Sequence, residues 1–208
     1  MAKLESSLTN MVISLSLISA IMAAALGVTY LLTKDTIANV ERKNINTAIQ
    51  QVVPAFDNDP FADQFKVNNG TDTFVCYPAK KASQVVGYAV KTFTNKGFGG
   101  HISIMVGFLP DGTIYNTSVL EHKETPGLGT KMTDPKFKNQ FKGKNPNSYN
   151  LSVKKDGGDV DAITAATISS RAFCDALGNA FKAVHKKVLS SNNAAVTDSS
   201  AIQKGGLK

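Results

Sequence analysis

Residues 85–120, VVGYAVKTFTNKGFGGHISIMVGFLPDGTIYNTSVL, alternate apolar and polar side chains and are interrupted by two turns. The first turn is the glycine-rich segment 97–100, and the second is the Pro-Asp-Gly segment 110–112. β-Branched residues in alternation favour strands, and Pro-Asp-Gly is typical of a tight turn between strands that are neighbours in the sheet. The stretch therefore predicts an antiparallel sheet with strands at 85–93, 101–109 and 113–120.

The flanking sequence adds further elements to this sheet. Residues 73–78 predict one more strand before it, and residues 151–153 predict another after it. Residues 137–141 predict a short helix. A long helix is predicted from residue 167 to 189, because apolar side chains recur there at helical spacing, namely Phe173, Leu177, Ala180, Phe181, Val184 and Val188. The predicted class is α+β, with an antiparallel sheet and covering helices.

Residues 11–32 contain no charged side chain and predict a transmembrane helix. At about 1.5 Å per residue, 22 residues extend roughly 33 Å, which matches the hydrocarbon core of a bilayer. A cleavable signal peptide is the alternative, since residues 23–25 are alanines. The apolar run continues beyond them to Leu32, which favours an uncleaved anchor. The flanking positive charges differ by only a few residues and leave the orientation open.

The anchor sets the remaining boundaries. Residues 1–10 are its N-terminal flank, and residues 33–63 are a helical connector and polar linker. Within the connector, residues 36–53 predict a helix that Pro54 ends, with an apolar stripe formed by Ile37, Val40, Ile45, Ala48, Ile49 and Val52. Residues 64–189 form the globular domain. The small and polar segment 190–208 is expected to be disordered.

Composition narrows the function classes. The net charge is +7, but the lysines are scattered and no nucleic-acid motif accompanies them, so a nucleic-acid partner is not expected. Cys76 and Cys174 lie far apart and no CxxC occurs, which argues against zinc and iron–sulfur sites. Whether the two cysteines are free or paired stays open. The three histidines show no spacing typical of a metal site, and no metal site is expected.

The segment 157–171, GGDVDAITAATISSR, carries the chemical signal. Two small residues, Ala165 and Ala166, would let a bulky group approach the backbone. Hydroxyl groups crowd the start of the predicted helix at Thr164, Thr167, Ser169 and Ser170. Free amides and the helix dipole favour a phosphate at such a terminus. An ordinary N-cap by Thr167 is the alternative.

The pattern Asp161-x-x-Thr164-Ala165-Ala166-Thr167 resembles the flavinylation motif of the FMN-binding domain family, Asp-x-x-(Ser/Thr)-(Gly/Ala)-Ala-(Thr/Ser). The resemblance implies that Thr167 carries FMN covalently through a phosphoester bond. It also implies maturation by a flavin transferase that uses FAD as the donor. Ala165 stands where glycine is commoner in the family.

Three segments, 97–107, 122–129 and 164–173, and the plan of one helix and one domain resemble the G subunits of Rnf ion-translocating electron-transport complexes. The resemblance covers roughly residues 1–189. It implies an electron-transfer subunit, with no catalytic side chain of its own, in a complex that moves electrons between ferredoxin and NAD and couples them to ion translocation. The implied partners are the other membrane subunits. The implied location is the bacterial cytoplasmic membrane, with a single pass and the flavin domain on the periplasmic side.

Two alternatives stay beside this interpretation. The C subunit of the sodium-pumping NADH:quinone reductase shares the anchor and the motif, although the continuation 168–171 and the compact length favour the Rnf family. An anchored module that binds an anion without redox chemistry is the second alternative.

The loop 124–131, ETPGLGTK, is explained either as a simple turn or, by the resemblance, as a flavin-contacting loop. The glycine-rich turn at 97–100, together with His101 and His122, is assigned to ordinary structure. The predicted cofactor-binding residues are Glu124, Thr125, Leu128, Gly129, Lys131, Thr164, Ala165, Ala166, Thr167 with the covalent bond, Ile168 and Ser169.

Overall fold

The computed structural model describes residues 7–70 and 72–185, which divide into two units, residues 7–44 and residues 45–185. Helix α1, Leu8–Val52, contributes to both units. Its N-terminal part is long and apolar enough to cross a membrane, and the helix segment that meets this criterion has no buried residue. Large apolar side chains of residues 8–32 are 56–79% exposed. Such exposure suits a lipid environment rather than water.

The predicted connector helix is the continuation of α1 and ends before Pro54 as expected. The predicted apolar stripe is only partly right. Ile37 and Val40 are exposed, whereas the four later positions are buried, namely Ile45, Ala48, Ile49 and Val52. The stripe becomes a packing face only where the helix joins the second unit.

The second unit contains a five-stranded antiparallel meander in the order β1-β2-β3-β4-β5, which confirms the predicted sheet. The strand β1 was not predicted, because its sequence FKVNN is short and polar. The bounds are Phe65–Asn69 for β1, Asp72–Lys81 for β2, Gln84–Gly97 for β3, Gly100–Phe108 for β4 and Ile114–His122 for β5.

Alternation along the strands directs side chains into two cores on opposite faces of the sheet. On β3 and β4, Val90 and Ile104 join the larger core, whereas Ala89 and Met105 join the smaller one. Helix α3, Thr167–Val184, covers the larger core. The last turns of α1, residues 45–52, cover the smaller core. The sheet is therefore shielded from water on both faces.

The segment after β5 differs most from the sequence predictions. It contains a 3-10 helix, Gly129–Thr133, then helix α2, Pro135–Lys138, and a second 3-10 helix, Lys154–Asp156. The predicted helix at 137–141 is thus shifted toward the N-terminus. The predicted strand at 151–153 is wrong, since only one isolated bridge forms there, between Val153 and Val160.

The last helix, Thr167–Val184, begins at the predicted residue. The predicted end at residue 189 and the predicted disordered tail at 190–208 lie outside the described residues.

Both cysteines are buried and neither forms a disulfide bond, which answers the question that the sequence left open. Burial raises the pKa of Cys174 to about 12, so this thiol stays protonated at neutral pH. A thiol held in that form is a poor nucleophile and metal ligand. Cys174 is accordingly a core residue on the buried face of α3.

Candidate functional site

Three segments that are distant in sequence meet around one cleft of about 310 Å³. They are the turn between β3 and β4, the loop after β5 and the start of α3. Nine of the eleven predicted cofactor-binding residues line the cleft, and Phe98 is added to them. The other two, Lys131 and Thr164, are exposed and do not line it. The lining residues are Phe98, Glu124, Thr125, Leu128, Gly129, Ala165, Ala166, Thr167, Ile168 and Ser169.

The start of α3 differs from the N-cap alternative. Ala166 is the N-cap residue, no side chain caps the helix, and Thr167 is the first helical residue. The amides of this first turn consequently have no intrahelical acceptor. Ala165 has a φ of +62°, a left-handed conformation that favours glycine and costs alanine roughly 1 kcal/mol. That conformation is a physical reason for the glycine preference at this position of the motif.

The hydroxyl groups of the first turn have different environments. Ser170 is buried, accepts a hydrogen bond from the Ile163 amide at 2.9 Å and donates one to the Ala166 carbonyl at 3.0 Å. Ser169 is also buried and donates to Glu124 Oε2 at 2.5 Å. The half-buried Thr167 hydroxyl has no hydrogen-bond partner among the described residues, and it lines the cleft. Thr167 thus presents the available hydroxyl of this turn.

The loop after β5 enters the cleft through a tight turn. The Leu128 amide donates to the Thr125 carbonyl at 3.2 Å, and Gly127 has a φ of +76°. Pro126 and a left-handed glycine are the two central residues that a type II turn requires. The turn projects Leu128, which stays 40% exposed, at the mouth of the cleft.

Exposed apolar side chains of the second unit are concentrated at this mouth. Phe98, Leu128 and Ile168 are the large hydrophobic residues that remain exposed in the described part of the second unit, and all three line the cleft. Sequence reasoning missed Phe98, because the turn around it was explained by its glycines. A lone aromatic side chain in such a turn was the available signal. A concave site with an apolar rim is typical of ligand binding.

Glu124 links the three segments at the base of the cleft and is only 5% exposed. Its Oε1 accepts a hydrogen bond from the Gly99 amide at 3.0 Å, and its Oε2 accepts the one from Ser169. A Cβ atom at Gly97 or at Gly129 would lie 2.5 Å from a carboxylate oxygen of Glu124. These glycines therefore leave room for the carboxyl group.

A larger groove of about 830 Å³ runs along α3 beside residues 146–153 and shares Ile168 with the cleft. Its charged groups are largely paired with each other. Arg171 makes a bidentate contact with Asp156 at 2.7 Å, which lowers the pKa of Asp156 below its ordinary value. Lys96 pairs with Asp175 at 2.7 Å. The smaller cleft is the better candidate because it contains the free Thr167 hydroxyl.

Comparison with known proteins gives consistent results. Residues 97–182 match the FMN-binding domain family. The chain is 35% identical over 176 residues to the G subunit of the ion-translocating oxidoreductase complex of Methanosarcina acetivorans, covering 83% of this chain and 92% of that protein. It is 33% identical over 171 residues to the G subunit of the Na(+)-translocating ferredoxin:NAD(+) oxidoreductase complex of Acetobacterium woodii, covering 76% and 82%. The crystal structure of Shewanella oneidensis NqrC aligns with a TM-score of 0.49 and 22% identity, covering 70% of each chain.

Proposed function

This chain belongs to the G-subunit family of ion-translocating oxidoreductase complexes, and from that premise we propose that it carries FMN on Thr167 through a phosphoester bond. It is a membrane-anchored, FMN-binding electron-transfer subunit of such a complex. FMN supplies the redox chemistry when bound, since it accepts and releases electrons one or two at a time. The residues of this chain bind, orient and shield it.

The free hydroxyl of Thr167 carries the proposal. The neighbouring hydroxyls of Ser169 and Ser170 are buried and hydrogen-bonded, so neither can bond to a phosphate without losing those hydrogen bonds. In the attachment step, the Thr167 oxygen bonds to the FMN phosphorus of FAD, the pyrophosphate bond breaks and AMP leaves. The hydroxyl proton passes to solvent. The uncapped amides at the start of α3 stabilise the remaining phosphate charge.

The exposed apolar rim supports contact with the ring system of the flavin. Leu128 and Ile168 line the cleft together with Thr167, and Phe98 adds an aromatic side chain. Together these side chains provide the apolar surface that a planar ring requires, and their burial by it is favourable. Ala165 and Ala166 leave room for the chain that joins the ring to the phosphate.

Two residues of the motif do not line the cleft, and we assign them to recognition by the flavin transferase. Thr164 is exposed, and Asp161 is an exposed partner of Lys154 at 2.8 Å. A maturation enzyme can contact both from outside while the Thr167 hydroxyl receives the flavin. The further partners are the other subunits of the complex. From its membership of this family, we propose that the complex moves electrons between ferredoxin and NAD and couples this electron flow to ion translocation.

Denaturation tests covalent attachment. Protein made together with a flavin transferase is expected to keep yellow fluorescence in a denaturing gel and to show one added FMN in its intact mass. The same chain made without the transferase is the control and should show neither. A module that binds an anion reversibly would lose its ligand in both preparations, and that result would refute the proposal.

A charge at the rim should disturb the flavin. In Leu128→Asp, the new carboxylate faces the proposed ring surface, where burial of an unpaired charge is costly. We expect a changed flavin absorbance spectrum and a shifted redox potential, while Thr167 is still modified. Leu128→Met is the matched control, since it keeps an apolar side chain and should leave both properties near wild type. Equal spectra and potentials in the two variants would assign the loop to structure alone.

We further propose that the second unit lies on the periplasmic side of the cytoplasmic membrane. The slight excess of positive charge after the anchor does not oppose this, because large domains translocate despite such a bias. Protease added to spheroplasts should degrade the domain, while a cytoplasmic marker protein stays intact. A domain that is cut only after the membrane is broken would place the flavin inside the cell.

A further inference from the structure

We propose that the buried carboxylate of Glu124 lowers the redox potential of the flavin in this cleft, an inference that rests on the function proposed above. Among the described residues, Glu124 is the only buried one with an acidic or basic side chain. The ion pairs of the domain are formed by partly exposed groups, as in Lys80–Asp63 and Arg171–Asp156. No cationic side chain of the described residues pairs with Glu124.

Specific contacts nevertheless hold the Glu124 carboxylate in place. Two donors, the Gly99 amide and the Ser169 hydroxyl, each hydrogen-bond to a different oxygen. Gly97 and Gly129 lack the Cβ atoms that would collide with those oxygens. Both donors are uncharged, so these hydrogen bonds leave the charge of a carboxylate uncompensated.

The hydrogen bonds by which Glu124 joins the three segments do not by themselves require a charged side chain. A glutamine could join the same three segments, since its oxygen can accept from Gly99 and its nitrogen can donate to the Ser169 oxygen. A buried carboxylate without a cation is costly compared with such a neutral group. The charge lies at the wall of the cleft that also contains Thr167. We therefore assign this charge a function in the cleft.

The effect on the flavin follows from electrostatics. Two-electron reduction with uptake of one proton leaves the flavin one charge more negative, and the electrons come from an upstream carrier of the complex. Glu124 repels that charge, and the repulsion is strong because Glu124 is buried and little water screens it. Glu124 therefore disfavours the reduced form and moves the midpoint potential to a more negative value. Glu124 acts on the flavin through its charge and forms no bond to it.

The test is a redox titration of the full flavinylated chain in detergent, reduced by dithionite. In Glu124→Gln, the midpoint potential of the flavin that is bound should move to a more positive value. Glu121→Gln is the matched control, because it removes the same charge from an exposed residue near the end of β5, where solvent screens it. Ser169→Ala breaks one hydrogen bond but keeps the carboxylate, so its shift should be smaller than that of Glu124→Gln.

The outcomes separate the two proposals. A wild-type chain without flavin refutes the proposed function. Full flavin with the same potential in Glu124→Gln and Glu121→Gln overturns only the role of Glu124. If Glu124→Gln takes up no flavin, infrared spectra of the oxidised wild-type chain decide, with and without ¹³C-glutamate labelling. A protonated-carboxyl band that shifts on labelling would show a neutral Glu124 and overturn the inference, whereas its absence supports a carboxylate.

Discussion

Thr167→Ala is expected to abolish covalent flavin completely. The substitution removes the one hydroxyl of the first turn of α3 that is free of hydrogen bonds and lines the cleft. The fold should persist, because the cap at Ala166 and the bonds of Ser169 and Ser170 do not involve the Thr167 side chain. The variant, made with the transferase, should show no fluorescence in a denaturing gel.

Thr167→Ser is the matched control for this loss. It restores an oxygen at the same position and should retain at least part of the flavin. Thr164→Ala should label less completely at the unchanged site Thr167, because Thr164 is exposed and belongs to the recognition surface. The contrast between the two positions separates acceptance of the flavin from recognition of the chain.

Tandem mass spectrometry locates the modification. Trypsin cuts after Lys155 and Arg171, so one peptide, residues 156–171, contains all four candidate hydroxyls. The FMN mass should map to Thr167. A mass on Ser169 or Ser170 would show that the hydrogen bonds of the first turn open during maturation and would refute the site assignment.

The sheet was predictable because its strands are long and alternate. The turn signals at 97–100 and 110–112 separate β3, β4 and β5 at the correct places. The strand β1 escaped prediction because only Val67 of its five residues is buried, which leaves almost no periodic signal. The strand predicted at 151–153 failed for the opposite reason. Val153 is buried in the core around α3 and Leu151 is partly buried against it, without a neighbouring strand to pair with.

The candidate site was predictable where a motif marks it and not where tertiary contacts build it. The cleft brings residues 124–129 next to residues 165–169, as the resemblance implied. The hydrogen bond from Gly99 to Glu124 joins residues 25 positions apart, and no local pattern indicates it. Neither could the exposure of Ile37 and Val40 be inferred, since their helical spacing equals that of the buried residues after them.

Gly107→Ala is expected to be the most destabilising small substitution in the second unit. Gly107 lies in β4, paired with Ala89 and Asn116, and the last turn of α1 rests directly on it. An added methyl group would overlap the carbonyl group of Val52. Because the collision is with backbone, no side-chain rotation relieves it, and the helix end must lift away from the sheet.

That movement would also separate Ile49 from Met105 and Ala89 in the smaller core. We therefore expect a loss of roughly 3 kcal/mol in the free energy of unfolding, at the upper end for over-packing. The corresponding fall in Tm is roughly 10 °C for a domain of this size. Calorimetry of the full chain in detergent measures it, while the Asn116 contact to the Gln51 carbonyl should be lost with the same displacement.

Gly178→Ala provides the matched control, because an added Cβ there meets no atom within 4 Å and the position is inside α3. Alanine is favoured over glycine within a helix by about 1 kcal/mol, so this variant should be as stable as wild type or more stable. Similar Tm values for the two variants would mean that the end of α1 is not seated on β4. The smaller core would then contribute little to the stability of the domain, and the sheet would be held by α3 alone.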